Sequence, residues 1–526
     1  MKLVFTRKLL FIIKVFIFVL FLAGLGYVFL TTKYSADGGF SNLTPKKAND
    51  FVQSIGVTTH LTYSDYQSNQ YFPDLFSQLI GPKVHQLGIS HLRQFPTEVE
   101  ANFTGSVGKF NQLSRDGPTQ ISFNWETSIE TTSNSSPQHT CYLPKIKYLV
   151  KGISLNCGGL SSLSTPSLST SSNIATESVE NPNEPDHCAS FTCGQSTTQN
   201  WFSNSLSRNP DWPDDVLATA QAANTKITSD PTTRNLEILA PAFVWLPYHG
   251  NETYHGVNLK TFLAPLKNYV TYGNVHSYCH LLSVANCYTT EVQPAVNYYA
   301  PKPVIVTETG YSTANYTERQ QAKYLPRILF DFFERGIPRT YVYELLDEPS
   351  AATPTEQNFG LLDETGREKM AFVWLKNAVT LLKDNGSVSL TPLEASILGP
   401  SSLRTSLLKK SDGSYWLALQ NDKATTTDTD VKVDVTLSFS KPRDIQYFNL
   451  ESTEPFATLT KVSSTVISVP DRIILAKITL PPVTNTNSRG SSSNNTNAGG
   501  SPSTNTNPGV FQGLGSKRNY FLKLFK

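Results

Sequence analysis

Apolar residues change their spacing several times along the chain, and each change marks a region. The beginning is apolar without a break from Val15 to Leu30, extended back through Leu9–Ile13 around Lys14. That reaches the roughly 20 residues a membrane-spanning helix needs. Lys2, Arg7 and Lys8 ahead of it predict an N-in, C-out orientation. A secretory signal cleaved near Ser35-Ala36 is the competing reading. Residues 1–36 are therefore read as cytoplasmic basic residues plus a transmembrane anchor or signal, and 37–50 as a polar stalk.

From residue 51, short apolar runs alternate with helix-period stretches. The runs Ser54–His60, Leu87–Arg93, Gln120–Trp125, Ile174–Glu180, Leu236–Pro241, Asn274–Tyr278, Val304–Thr307 and Thr340–Leu346 are expected as strands. Leu75–Ile80, Ile146–Ile153, Asp214–Thr225, Ala322–Arg335 and Lys369–Lys383 are expected as helices. A repeated strand–helix order predicts a parallel sheet with helical crossovers, and eight such strands predict an α/β chain built on a (β/α)8 TIM barrel over 51–385. The Ser/Thr-rich residues 130–173 are read partly as the helix Ile146–Ile153 and partly as a surface insertion. Beyond Asp384-Asn385-Gly386 the period drops to two. Ser414–Gln420, Val431–Phe439, Ile445–Leu450, Ser464–Val469 and Ile473–Leu480 predict a small all-β sandwich over 386–481. Residues 482–526 lose periodicity and read as an Asn/Ser/Thr/Gly-rich disordered linker with a basic, apolar tail from Lys517 to Lys526.

Charge and cysteines narrow the function classes. With 44 basic and 42 acidic residues there is no electrostatic case for nucleic acid as a partner. Tyr 23 and Phe 29 beside only 16% charged residues suit a large core with aromatic binding surfaces. The 6 cysteines lie in near pairs, Cys141/Cys157, Cys188/Cys193 and Cys279/Cys287, which reads as local disulfides in an oxidising compartment. Export agrees with the N-terminal segment and predicts an extracellular or secreted body. No Cys-x-x-Cys pair occurs, and the strand context of His276 and His280 turns them to one face without metal geometry, so neither a metal nor another cofactor is expected.

The chemistry lies where strands end. A β-prone run reaches Asn183-Glu184 and is stopped by Pro185; a second, Pro303–Thr307, runs into Glu308 and is broken by Thr309-Gly310. Two glutamates on the ends of two buried strands fit paired carboxylate chemistry, for which glycoside hydrolysis is the standard case. Opposite walls of one barrel can hold them at the separation of about 5–5.5 Å that a retaining reaction needs.

At this point the chain resembles the clan A glycoside hydrolases, (β/α)8 enzymes with the acid/base ending strand 4 and the nucleophile ending strand 7. The resemblance spans roughly 50–385, and the all-β region is similar to their accessory sandwich. It implies that Glu184 is the acid/base, Glu308 the nucleophile, and Asn183 a contact to the sugar 2-hydroxyl. It likens His276-Ser277-Tyr278 to the His-x-Tyr of strand 6, with Tyr278 hydrogen-bonded to the nucleophile, and Arg93 and His60 to basic residues ending strands 2 and 1. Strand 8 departs from the pattern: where many members carry Trp, the inward candidates are Tyr341 and Tyr343. Trp125, Trp245 and Tyr248 on loops after strands 3 and 5 are further candidates for stacking on sugar rings. The acidic Glu344, Asp347 and Glu348 read as a rim ion-pair network. The expectation is an anchored extracellular retaining β-glycosidase acting on a glycan. Its rival is a non-catalytic surface carbohydrate-binding or adhesive protein on the same barrel.

Overall fold

The computed structural model describes residues 40–59, 75–94, 113, 121–126, 176–181, 183–184, 212–231, 233–243, 253–280, 282–349, 351, 353–423 and 427–480. The expected anchor (1–36), the Cys141–Cys157 region, Cys188, Cys193, His60, Trp245, Tyr248 and the 482–526 tail lie outside these residues. Among the described residues no helix is long and apolar enough to cross a membrane.

Eight parallel strands form one sheet: β1 Ile55–Thr58, β2 His91–Gln94, β3 Ser122–Glu126, β4 Thr176–Glu180, β5 Glu237–Leu239, β6 Gly273–His276, β7 Val304–Thr309 and β8 Thr340–Val342. The order is β6-β7-β8-β1-β2-β3-β4-β5. Isolated parallel bridges Leu239↔Tyr272 and Phe243↔Val275 bring β5 back to β6 and nearly close the barrel. The eighth strand is shorter than expected, and the second begins later. Gly81–Leu87 is the helix α1, ended by Gly88 at φ 77 with its N–H on the Val84 carbonyl, so Leu87 belongs to that helix and not to β2. Between the later strands run α2 Trp212–Ser229, α3 Val284–Cys287 continuing through Tyr288–Val292 and Gln293–Tyr299, and α4 Glu318–Glu334; α5 Met370–Leu382 follows β8. Thr317 and Gln320 form a capping box that starts α4.

Strand alternation sets what faces in. Ile55, Val57, Leu92, Val275, Val304 and Val306 pack outward into the main core with the helices. Leu239, Ile305 and Tyr341 form a separate apolar cluster within the barrel. The Tyr341 ring lies in the space a side chain at Gly56 would occupy, 2.3–2.9 Å from an added Cβ. Two bulges break the alternation usefully. Between β3 and β4 the register steps from Phe123↔Thr176 to Asn124↔Ser178, leaving Glu177 over. Between β6 and β7 it steps from Val275↔Val306 to His276↔Glu308, leaving Thr307 over. Each bulge re-aims a polar side chain next to the strand end.

The all-β region differs from the expected sandwich. It is one hydrogen-bonded sheet of β9 Leu393–Leu398, β10 Leu403–Lys409, β11 Tyr415–Asn421, β12 Val433–Phe448, β13 Ala457–Val469 and β14 Ile474–Thr479. The 16-residue strand β12 joins its halves, contributing Val435, Leu437, Phe439, Ile445 and Tyr447 to one core. The expected stalk is also corrected. Ser41–Leu43 pairs antiparallel with β9, and Lys46–Lys47 pairs parallel with β10, so this stretch is part of the sheet.

Barrel and sheet meet along α4. Arg327, fully buried, donates to the Gln420 side chain, the Lys423 and Asp471 carbonyls and the Asp422 carboxylate, the last at 3.0 Å. Lys323 pairs with Asp471 at 3.0 Å, both side chains without solvent contact. Buried charges are tolerated only in such fully paired arrangements.

Candidate active site

The polar side chains of the barrel converge at the strands' C-terminal ends, around one guanidinium. Arg93 on β2 is 2% exposed. Its Nε and Nη2 donate to Glu180 on β4 at 2.8 and 3.1 Å, and its Nη1 donates to Glu308 Oε1 at 2.7 Å. Nη2 also donates to Asn183 Oδ1 at 3.0 Å. Glu180 additionally accepts from Asn124 at 2.9 Å, Asn274 at 2.9 Å and Thr307 at 3.0 Å, from β3, β6 and β7. The carboxylate is thus fixed from four strands, and it fixes Arg93 in turn. A planar guanidinium forked onto carboxylates on opposite walls holds angle as well as distance.

Glu184 lies just past β4. Its N–H bonds the Ala242 carbonyl at 3.0 Å, and Asn181 and Asn183 are tied to Leu239, Arg93 and Ala242. Its backbone takes φ 41, a left-handed conformation that costs a non-glycine residue about 1–3 kcal/mol and clusters at functional sites. Glu184 Oε1 meets His276 Nδ1 at 2.6 Å, and the same nitrogen lies 3.3 Å from Glu308 Oε2. Placed between two acceptors, Nδ1 carries a proton. His276 Nε2 is buried with no hydrogen-bond partner among the described residues. Glu184, His276 and Glu308 each bring one donor atom within 4.8 Å of the others. Arg93 and the His276 proton already supply positive charge to these oxygens, so no metal is assigned.

Electrostatics separates the carboxyls of this mouth. Burial pushes Glu308 up, but His276, Arg93 and the Tyr278 hydroxyl, donating to Oε2 at 2.6 Å, outweigh it and hold Glu308 below its ordinary value. Burial pulls His276 down, and Glu308 and Glu184 more than reverse it, so its pKa is raised. Glu344, just after β8, goes the other way. Burial first, then Asp347, Glu356 and Glu308, push it well above the carboxylate range. Asp347 is pushed up to about 6 by burial, against Lys369, whose Nζ donates to it at 2.8 Å.

Of the residues expected to form a site, Asn183, Glu184, Arg93, His276, Tyr278 and Glu308 come together as described. Tyr343 stands across the mouth, its ring 5.5 Å from Phe359, which lies 5.5 Å from the Tyr278 ring. Tyr341 does not reach the rim. Its hydroxyl donates to Glu177 at 2.6 Å, deeper in the barrel, where His91 also meets Glu177 at 2.6 Å. Trp125 lies on β3, paired with Gln94 and Val179, and its side chain lies outside what is described. Of the three acidic residues read as a rim ion-pair network, Asp347 pairs with Lys369. The sequence reading missed Glu180, Asn124, Asn274, Thr307 and Phe359. Asn274 was within reach, two residues before His276 and so on the same strand face.

No protein-family profile and no curated protein matches the chain. Solved structures do. A glucosidase from Croceicoccus marinus is similar over 84% of this chain and 97% of its own, at 9% identity and a TM-score of 0.51. A family 39 glycoside hydrolase from Bacteroides cellulosilyticus WH2 is similar at 13% identity over 82% of each chain, TM-score 0.45. A GH51 α-L-arabinofuranosidase from Thermotoga petrophila RKU-1 is similar at 10% identity over 84% of this chain and 98% of its own, TM-score 0.47. The barrel fold is shared with the glucosidase. At these identities the likeness concerns the fold, and what the site does is argued from its own geometry.

Proposed function

We propose that the chain is a retaining glycosidase that cleaves O-glycosidic bonds of a glycan through a covalent glycosyl-enzyme. One observation carries the reading: Glu184 and Glu308, from opposite walls of the barrel, bring carboxylate oxygens within 4.8 Å of each other with a protonated nitrogen between. Retaining enzymes hold their two carboxyls about 5–5.5 Å apart, and inverting ones leave room for a water.

Glu308, kept ionised by Arg93, His276 and Tyr278, attacks the anomeric carbon. The bond to the leaving oxygen breaks as Glu184 protonates that oxygen. Glu184 then takes a proton from water, whose oxygen attacks the same carbon and displaces Glu308. Asn183, held through its Oδ1 by Arg93, binds the sugar 2-hydroxyl. Tyr343 and Phe359 form the aromatic wall of the sugar site. The Cys279–Cys287 disulfide supports an oxidising compartment, and with the basic–apolar N-terminus it favours an extracellular protein, anchored or secreted.

The test sets wild type, Glu184→Ala and Glu308→Ala against aryl β-glycosides and polysaccharides, with added azide. Both variants should lose at least about 100-fold in kcat, the lower range for one acid–base group. Azide should restore turnover of Glu308→Ala as a glycosyl azide of inverted configuration. Activity indifferent to both substitutions would refute the assignment. Glycan binding without turnover in the wild type would favour a binding protein on this barrel.

A further inference from the structure

A carboxylate from the C-terminal sheet reaches the active-site wall. Asp422 follows β11, and its side chain is 2% exposed. Its Oδ1 accepts from Val284 N–H at 2.7 Å and its Oδ2 from Ala285 N–H at 3.0 Å, the first two residues of α3. Arg327 and Arg404 hold the same carboxylate from α4 and β10, at 3.0 and 3.4 Å. Cys287, in the first turn of α3, is bonded to Cys279. Cys279 directly follows Tyr278, whose hydroxyl is on Glu308. Ser277, one residue earlier, donates its N–H to the Glu308 carbonyl at 2.9 Å and lies 3.5 Å from Cys287 Sγ. A continuous path therefore runs from the sheet to the carboxylate that the proposed reaction uses. Other ion pairs between barrel and sheet, among them Lys323–Asp471, Lys323–Asp430, Arg319–Asp430 and Arg319–Glu451, run to α4 instead.

We propose that Asp422 is a positioning residue of the active site: by anchoring the start of α3, and through the Cys279–Cys287 bridge, it sets the Tyr278 hydroxyl on Glu308. The sheet is then a working part of the site. A negative carboxylate facing the first N–H groups of a helix fixes that end. The bridge transmits the placement over a few residues, too short a path to absorb a shift in slack chain. Glu308 is faced by Arg93 from β2, His276 and Tyr278 from β6 and its extension, Glu184 after β4 and Glu344 after β8. Of these, Tyr278 is the group whose position depends on α3. Its loss removes a hydrogen bond that favours ionised Glu308, so the Glu308 pKa rises.

The inference rests on Glu308 being the nucleophile, and its test separates the two. Full-length Asp422→Asn is compared with wild type and with Asp430→Asn, which loosens the same interface away from α3. Hydrogen exchange over residues 277–292 should quicken in Asp422→Asn and stay unchanged in Asp430→Asn. The acid limb of kcat/KM should move to higher pH in Asp422→Asn only, with kcat at pH 5 about tenfold down, the scale of one hydrogen bond to a charged group. Should Asp422→Asn not fold, Val284→Pro removes one of the two N–H donors and leaves the Asp422–Arg327 pair intact; Ser283 at ψ 149 suits the residue before a proline. It should give the same two changes. Exchange and acid limb alike in Asp422→Asn and Asp430→Asn would overturn the inference. A wild type without turnover would overturn the proposed function, and exchange would still decide whether Asp422 governs the Tyr278 segment.

Discussion

Glu180 never meets solvent, yet it accepts from Arg93, Asn124, Asn274 and Thr307, so a fully buried carboxylate serves to aim another side chain. Removing one partner of such a buried pair costs about 3–5 kcal/mol, because the other charge is stranded. Glu308 and Glu344 show how position decides a carboxyl's state. Glu308 is depressed, so its contribution to stability is present above the ordinary value of 4.5 and fades as pH falls through its folded pKa. Glu344 is raised, so the folded state holds its proton more tightly, and stability declines as pH climbs from 4.5 toward the folded value. Glu344→Gln keeps the shape and removes the titration. Its melting temperature should therefore gain on wild type as pH goes from 5 to 8, read by thermal scans at both values; a gap constant with pH would contradict a raised Glu344. The sequence pointed to Glu184 and Glu308 because each is a carboxylate at the point where an apolar run stops, and the family resemblance added Asn183, Arg93, His276 and Tyr278. Glu180 was hidden. It sits inside its strand, where a charged residue reads as the solvent face until its partners are known.

Elements carry the same lesson in their register. A strict alternation cannot send both Thr307 and Glu308 inward, and the bulge opposite Val275 and His276 is what allows it. That extra residue leaves no mark in the apolar pattern, since Val304–Thr307 reads as a plain buried strand. The eight strands and the long helices were legible because their periods are strong. The second strand was drawn too early because Leu87 and Ile89 continue the apolar run through Gly88, whose left-handed turn divides helix from strand. On β1, Gly56 has one requirement, room for the Tyr341 ring. Gly56→Ala should lower stability by about 1–3 kcal/mol, the usual cost of overpacking, visible as a lower denaturant midpoint at unchanged slope. A midpoint equal to wild type would mean that the ring moves aside freely.

For the whole molecule, the two textures in the sequence are a barrel and an all-β region expected to pack on it, and barrel and sheet make one compact unit through Pro481. The reason is electrostatic as much as apolar. Lys323 and Arg327 lie buried on a helix of the barrel, and their counter-charges Asp471 and Asp422 belong to the sheet. A chain ending at residue 385 strands both, at about 3–5 kcal/mol each against a typical total of 5–15. It should show no cooperative thermal transition; a sharp one near the full-length temperature would mean that the barrel stands alone. The strands Ser41–Leu43 and Lys46–Lys47 add a further condition. They leave the ribosome before any of the barrel, and their partners β9 and β10 are made some 350 residues later, so the sheet's edges wait for nearly the whole chain. During synthesis this end must stay unpaired and available while the barrel strands assemble beside it. A cut ahead of Ser41 leaves both edge strands whole, and a cut beyond Leu43 removes the strand that borders β9.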